Sequence, residues 1–382
     1  MRIVFDLTKN DFFDEYLYKK PHVFKGAVQD GHIDWKDINE VYERADASDR
    51  SFKLMNGYEV PKSEYVESHM NVGRVEHRYI KSVVYKYMRE GATLVYNRIK
   101  NEPFVTAISR QIASYADAQV IVSGYAAFSG KSSYRSHWDT RDVFAVQLLG
   151  RKRWIIKRPN FESPLYMQQT KNISDAVEPE EVYLVVILEP GDIIYVPRGW
   201  WHNPLPLGGG TFHLAIGTFA PTGFDYLCWL LNLMPDIPDV RRNFHEFGRD
   251  EQSLKNIAVS LGASVNDRSN YEKFMQAYIG QHRVDSKIAL HILGDGSNHQ
   301  LDLKQIVRLN AHLLYRFSDG FVVINGNKTN IDDVSFELIE YIYHQGDCSV
   351  SGIQERFSGH GADIVNKTLF QLALNDVIEI VD

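Results

Sequence analysis

The apolar positions of the chain change period several times, and each change marks a different kind of structure. Phe12, Phe13 and Tyr16 recur at helical spacing just after Lys9-Asn10-Asp11. Pro21 ends that stretch, and His22-Val23-Phe24 reads as a short strand. A second helix is expected from Val75 into Tyr85-Lys86-Tyr87, with Asn101-Glu102-Pro103 breaking the pattern. From about 118 to 220 the pattern becomes short apolar runs: AQVIVSGYAAFSG, DVFAVQLLG, KRWIIKR, VYLVVILEPGD, IIYVPRG and FHLAIGTFAP. Gly130, Gly150, Gly191, Gly199 and Gly208-Gly209-Gly210 punctuate them. Many short strands with regular turns predict a sandwich or barrel. A jelly roll is the economical form, because its mouth holds a small site.

Beyond 222 the period returns to helical. FDYLCWLLNLM is apolar on most faces and ends at Pro235, so it must be buried in its own chain or against another subunit. Phe244 to Leu261 and Tyr271 to Val284 are further helical stretches. FVVINGNKTNI predicts a hairpin around Asn325-Gly326. DVSFELIEYIYHQ, VSGIQERFSG and DIVNKTLFQLALND then read as short amphipathic helices before the strand VIEIV, the order of a winged helix. Three parts are expected: 1–222, a mainly β domain with an N-terminal α/β extension; 223–298, a helical region; and 299–382, winged-helix-like.

Composition narrows the class. At 44% hydrophobic and 24% charged, the chain needs no metal or disulfide to fold. Cys228 and Cys348 make no CxxC pair and are expected to be buried thiols in a reducing cytosol. The opening MRIVFDLTKNDFFDEYLYKK has neither a basic nor an apolar leader segment, and no apolar run reaches the ~18 residues of a membrane span, so a soluble cytoplasmic chain is expected. The net charge of -7 disfavours nucleic acid and weakly favours a basic protein or peptide. The would-be recognition region of the winged helix, QERFSGHGADIVNKTLFQ, has few basic residues, which points to protein contact rather than DNA.

His137-Trp138-Asp139 carries the chemistry. In a strand, residues i and i+2 share a face, so an imidazole and a carboxylate would lie side by side. Alone, H-x-D is a weak signal. Downstream, GDIIYVPRGWWHNP brings His202 after two tryptophans. Two histidines and one carboxylate form the facial triad of non-haem Fe(II) oxygenases, leaving three positions open for a bidentate 2-oxo acid and O2. A distal carboxylate needs a cation, and Lys152 in GRKRW offers one; taken alone, it would be a solvated lysine. Tyr125 is open to two readings, a bond to a cofactor oxygen or core packing, and Tyr134 is a weaker candidate for the same work. His213 reads as a core histidine, and Trp200 and Trp201 as pocket wall and packing.

HWDTRDVFAVQLLGRKRW followed by GDIIYVPRGWWHN resembles the JmjC-type 2-oxoglutarate oxygenases of the cupin superfamily. The resemblance implies a double-stranded β-helix (jelly-roll) core with Fe(II) held by His137, Asp139 and His202. It also implies that Lys152 anchors 2-oxoglutarate and that Tyr125 lines the cofactor pocket. The opening FFDEYLYKKPHVFKGAV is similar to the start of the bacterial ribosomal-protein hydroxylases, which implies a helical dimerisation region and a C-terminal winged helix after the core. Two positions depart from individual members: Lys152 stands where the bacterial arginine hydroxylase has Arg, and Val143 where the asparaginyl type has a cofactor-binding Asn. The expected activity is hydroxylation of a protein side chain, a ribosomal protein among the candidates, by a homodimer using Fe(II), 2-oxoglutarate and O2. The alternatives are the same chemistry on a small molecule or biosynthetic peptide, and a non-catalytic metal-binding cupin.

Overall fold

The computed structural model describes residues 1–131, 133–173, 176–294, 296, 299–315, 317 and 320–381, in two units, 1–219 and 220–382. The first unit opens with β1 (Arg2–Ile3), α1 (Lys9–Glu15), β2 (His22–Phe24), β3 (Val28–Gln29), α2 (Trp35–Glu43) and β4 (Phe52–Met55). It continues through α3 (Lys62–Tyr65), β5 (Val66–Asn71), β6 (Arg74–Tyr79), α4 (Lys81–Glu90), β7 (Thr93–Asn97) and α5 (Pro103–Ala116). The remaining strands are β8 (Gln119–Ala127), β9 (Asp142–Leu149), β10 (Lys152–Lys157), β11 (Leu184–Leu188), β12 (Ile193–Val196), β13 (Trp201–Pro206) and β14 (Thr211–Phe219).

Seven strands make one antiparallel sheet in the order β2-β12-β9-β14-β8-β7-β4, and β11-β10-β13 make a second. The DVFAVQLL run is apolar without a break because β9 is covered on both faces. Phe144 and Val146 join the core shared with Phe12 of α1, Ile38 of α2 and Ile108 and Ile112 of α5. Val143 and Ala145 point the other way, into a cluster with Trp154, Ile156 and Leu188 of the smaller sheet. β12 divides in the same manner, Ile193 and Tyr195 to one side and Ile194 and Val196 to the other. The first unit is thus a mainly β core with helices on the outer face of its larger sheet.

Two local expectations change. Val75 lies in the β5–β6 hairpin, and the helix starts only at Lys81. The turn at Val72-Gly73 holds both residues at positive φ, 43° and 80°, which closes a two-residue hairpin. Pro103 does not end a helix: it occupies the first turn of α5, where its missing N–H costs nothing.

The second unit contains α6 (Gly223–Leu231), α7 (Phe247–Asn266), α8 (Arg268–Gly280), β15 (Ile306–Leu309), β16 (Phe321–Ile324) and β17 (Asn327–Asn330). It ends with α9 (Asp333–Gln345), β18 (Cys348–Ser349), α10 (Val350–Arg356), α11 (Ala362–Leu374) and β19 (Ile378–Ile380). β16 and β17 form the hairpin around Asn325-Gly326, and β18-β15-β19 make a three-stranded sheet. Leu338, Ile353 and Leu369 of α9, α10 and α11 share one core with Val307 and Ile378. On α6 only Leu230 is buried, while Phe224, Leu227 and Leu231 are exposed. Cys348 is buried as expected, but Cys228 on α6 is exposed. Among the described residues no helix is long and apolar enough to cross a membrane.

Candidate metal and cofactor site

The expected strand does not run through His137-Trp138-Asp139. Instead His137 makes a single antiparallel bridge to His202 at the start of β13. The two backbones exchange hydrogen bonds, His202 N–H to His137 O at 2.8 Å and His137 N–H to His202 O at 3.2 Å. Gly199 N–H donates to Asp139 O at 3.0 Å, tying the same segment down a second time. Gly199 has φ +85°, and a Cβ there would meet Phe161 O at 2.7 Å, so this crossing requires glycine.

His137, Asp139 and His202 thereby converge, with one ligand atom from each lying within 4.8 Å of the others. His202 Nε2 is 3.6 Å from Asp139 Oδ2, and the imidazole centroids are 4.5 Å apart. His137 Nδ1 lies 2.8 Å from Arg135 O, and His202 Nδ1 lies 3.0 Å from Trp200 O. A carbonyl only accepts, so each Nδ1 carries the proton and each Nε2 keeps its lone pair, the tautomer a metal needs. Burial, aided by the neighbouring His137 ring, pushes His202 down to about 4, which keeps its ring neutral. For Asp139, burial pushes upward, but His202, His137 and Arg141 outweigh it and hold the carboxyl below its usual range.

The cavity beside this group lies between the sheets and is walled by Thr93, Tyr125, Ser133, Tyr134, Val143, Lys152, Trp154 and His213, among others. Lys152 opens β10 with its side chain on the inner face, and burial alone lowers its ammonium to about 7. Its flanks Arg151 and Arg153 are exposed, as alternation requires. Tyr125 stacks on His213 at 4.9 Å and meets Tyr134 edge-on at 6.1 Å; Tyr134 in turn lies 6.1 Å from His137. Burial raises the Tyr125 phenol to about 12 and the Tyr134 phenol as well, so both stay protonated donors. Trp200 and Trp201 are buried packing residues, and Trp201 Nε1–H donates to Asn160 Oδ1 at 2.9 Å.

Three wall residues had no individual signal in the sequence. Trp154 is buried, and among the described residues its indole N–H has no acceptor. Thr93 and Ser133 hydroxyls lie 2.6 Å apart, and Ser133 passes its proton to Gly91 O. His213, read as a core residue, instead reaches Lys152.

Residues 94–226 match the family model described as JmjC domain. Among individual proteins, it is similar to ribosomal oxygenase 2 of Rattus norvegicus, 25% identical over 65% of this chain and 55% of that protein. It is also similar to the bifunctional lysine-specific demethylase and histidyl-hydroxylase NO66 of Dictyostelium discoideum, 26% identical over 55% of this chain and 40% of that protein. The chain thus spans about half the length of these curated relatives. Its fold matches the Escherichia coli ribosomal oxygenase YcfD across 100% of both chains, with TM-score 0.60 and 16% identity. The YcfD complex with cobalt and 2-oxoglutarate aligns equally fully, with TM-score 0.59 and 17% identity.

Proposed function

We propose that the chain is an Fe(II)- and 2-oxoglutarate-dependent dioxygenase that hydroxylates a side chain of a protein substrate, a ribosomal protein foremost. One observation carries this reading: two histidines with free Nε2 lone pairs and a carboxylate converge beside a cavity that also holds a buried lysine. The donor set fits the metal, being mixed nitrogen and oxygen on one side only, unlike a closed structural zinc site. The cavity fits a dicarboxylate. Burial disfavours the Lys152 charge until an anion arrives, and on the same wall the Trp154 N–H has no acceptor among the described residues.

His137, Asp139 and His202 would hold the iron, Lys152 the distal carboxylate of 2-oxoglutarate, and Tyr125 and Tyr134 would donate to cofactor or substrate oxygens. When bound, iron, 2-oxoglutarate and O2 supply the oxidising chemistry, with succinate and CO2 as by-products and one oxygen atom delivered to the substrate. The chain's own residues keep the geometry and exclude water: the Arg135 and Trp200 carbonyls fix the two imidazoles, and Val143, Val196 and Ala215 line the cavity with apolar surface. Val143 at the asparaginyl enzyme's Asn position leaves orientation to Lys152 and the tyrosines.

The relatives named as ribosomal oxygenases support a ribosomal protein as substrate, and the acidity of the chain suits such a basic partner. The exposed Phe224, Leu227 and Leu231 of α6 support a helical dimerisation region over 223–298 and a two-fold homodimer. α9 to α11 with the β18-β15-β19 sheet support a winged helix over 299–382, used for protein contact in the cytoplasm. The test is Asp139→Ala. The variant should lose consumption of 2-oxoglutarate, and consumption at the wild-type rate would sink the assignment.

A further inference from the structure

His213 stands outside the metal-ligand group, but its Nδ1 lies 2.7 Å from Nζ of Lys152, and both side chains are buried. With Lys152 charged, the state an anionic ligand favours, its ammonium has three N–H donors and no lone pair, so Nδ1 accepts and the ring proton sits on Nε2. The ring has little room to turn. Tyr125 lies nearly parallel to it at 18°, and Trp154 stands perpendicular at 5.9 Å. The backbone aims it as well. Phe212 pairs with Leu149 but His213 with Gln147, so β9 carries one extra residue at this point. β14 itself runs on without a break: Phe212, Leu214 and Ile216 face the core, and His213 and Ala215 face the cavity that Lys152 shares.

We propose that His213 is a positioning residue for Lys152: by accepting one ammonium hydrogen at a fixed depth, it sets the length of the 2-oxo dicarboxylic acid that the site takes. The inference rests on Lys152 being the anchor of the distal carboxylate. A lysine is a point charge on a flexible four-carbon stem, so its reach must be fixed by something else if chain length is to be discriminated. His213 supplies that fixed point, and the two remaining N–H groups of Lys152 are left for the carboxylate.

The test is binding, measured anaerobically on Mn(II)-loaded protein with the four-, five- and six-carbon acids oxaloacetate, 2-oxoglutarate and 2-oxoadipate. His213→Asn keeps an acceptor where Nδ1 stood, while His213→Leu has nearly the same shape and none. The wild type is expected to prefer the five-carbon acid. His213→Leu should bind it on the order of tenfold more weakly and lose the preference, and His213→Asn should recover most of both. Wild-type affinities and order in His213→Leu, or no difference between the two variants, would overturn the proposal. Lys152→Met separates the two readings. If it leaves 2-oxoglutarate binding unchanged, the anchor assignment itself fails. If it weakens binding and His213→Leu does not, only the role of His213 fails. Should His213→Leu not fold, imidazole 15N shifts of the wild type decide: an unprotonated Nδ1 with 2-oxoglutarate bound is expected, and a protonated Nδ1 contradicts the proposal.

Discussion

Lys152 shows how one residue's surroundings suit an ordinary side chain to the anchor role proposed for it. Burial holds its proton affinity near 7 before any anion is present, so above that pH the neutral amine predominates. A carboxylate ligand favours the charged form, and binding must then take up a proton. Affinity for 2-oxoglutarate is therefore predicted to fall as pH rises above about 7. Calorimetry at pH 8 in two buffers of different ionisation enthalpy should show proton uptake, and buffer-independent heats would contradict this. Lys152→Ala should weaken 2-oxoglutarate on the order of a hundredfold, since a buried ligand charge then loses its partner. The sequence exposed this residue through its place after the DVFAVQLL strand. It concealed the pairing of His213 with Lys152, because the spacing of letters does not show that β10 and β14 bring these two side chains together.

At the scale of elements, legibility followed burial. β9 and β12 were readable because both faces are covered and their apolar runs are continuous. β5 and β6 were not, because they are largely exposed: Glu67, His69, Arg78 and Glu76 share one face, and Met70 and Val75 on the other stay open to solvent, so no buried alternation separates Val75 from the helix that follows. The H-x-D strand was also misread. The two histidines are brought together by one backbone bridge between distant segments, which no local period announces. Phe144 on β9 is fully buried between α1 and the sheet. Phe144→Ala should cost about 3–5 kcal/mol, read as a lower urea midpoint of the first unit's transition. On α6, Leu227→Asp with Leu231→Asp should convert the proposed dimer to monomer in sedimentation without loss of helicity. A wild type that sediments as monomer at micromolar concentration would remove the dimer.

For the whole molecule, the convergence of His137, Asp139 and His202 was legible because two histidines, an aspartate and a lysine have few other reasons to share one β-rich segment. The target was not, because substrate choice belongs to surfaces rather than to the fold. Deleting the gene should abolish a +16 Da modification on a ribosomal protein. The wild-type chain should restore it and Asp139→Ala should not. A modification that persists in the deletion strain would move the substrate elsewhere.

The most direct measurement of the central claim is an anaerobic titration of the Fe(II)-loaded protein with 2-oxoglutarate, followed by visible absorption, beside Asp139→Ala and Lys152→Ala. The account predicts a weak charge-transfer band that saturates in the wild type, is absent in Asp139→Ala and needs far more 2-oxoglutarate in Lys152→Ala. An iron-loaded wild type that shows no band would contradict the cofactor assignment and leave a metal-binding cupin of another kind.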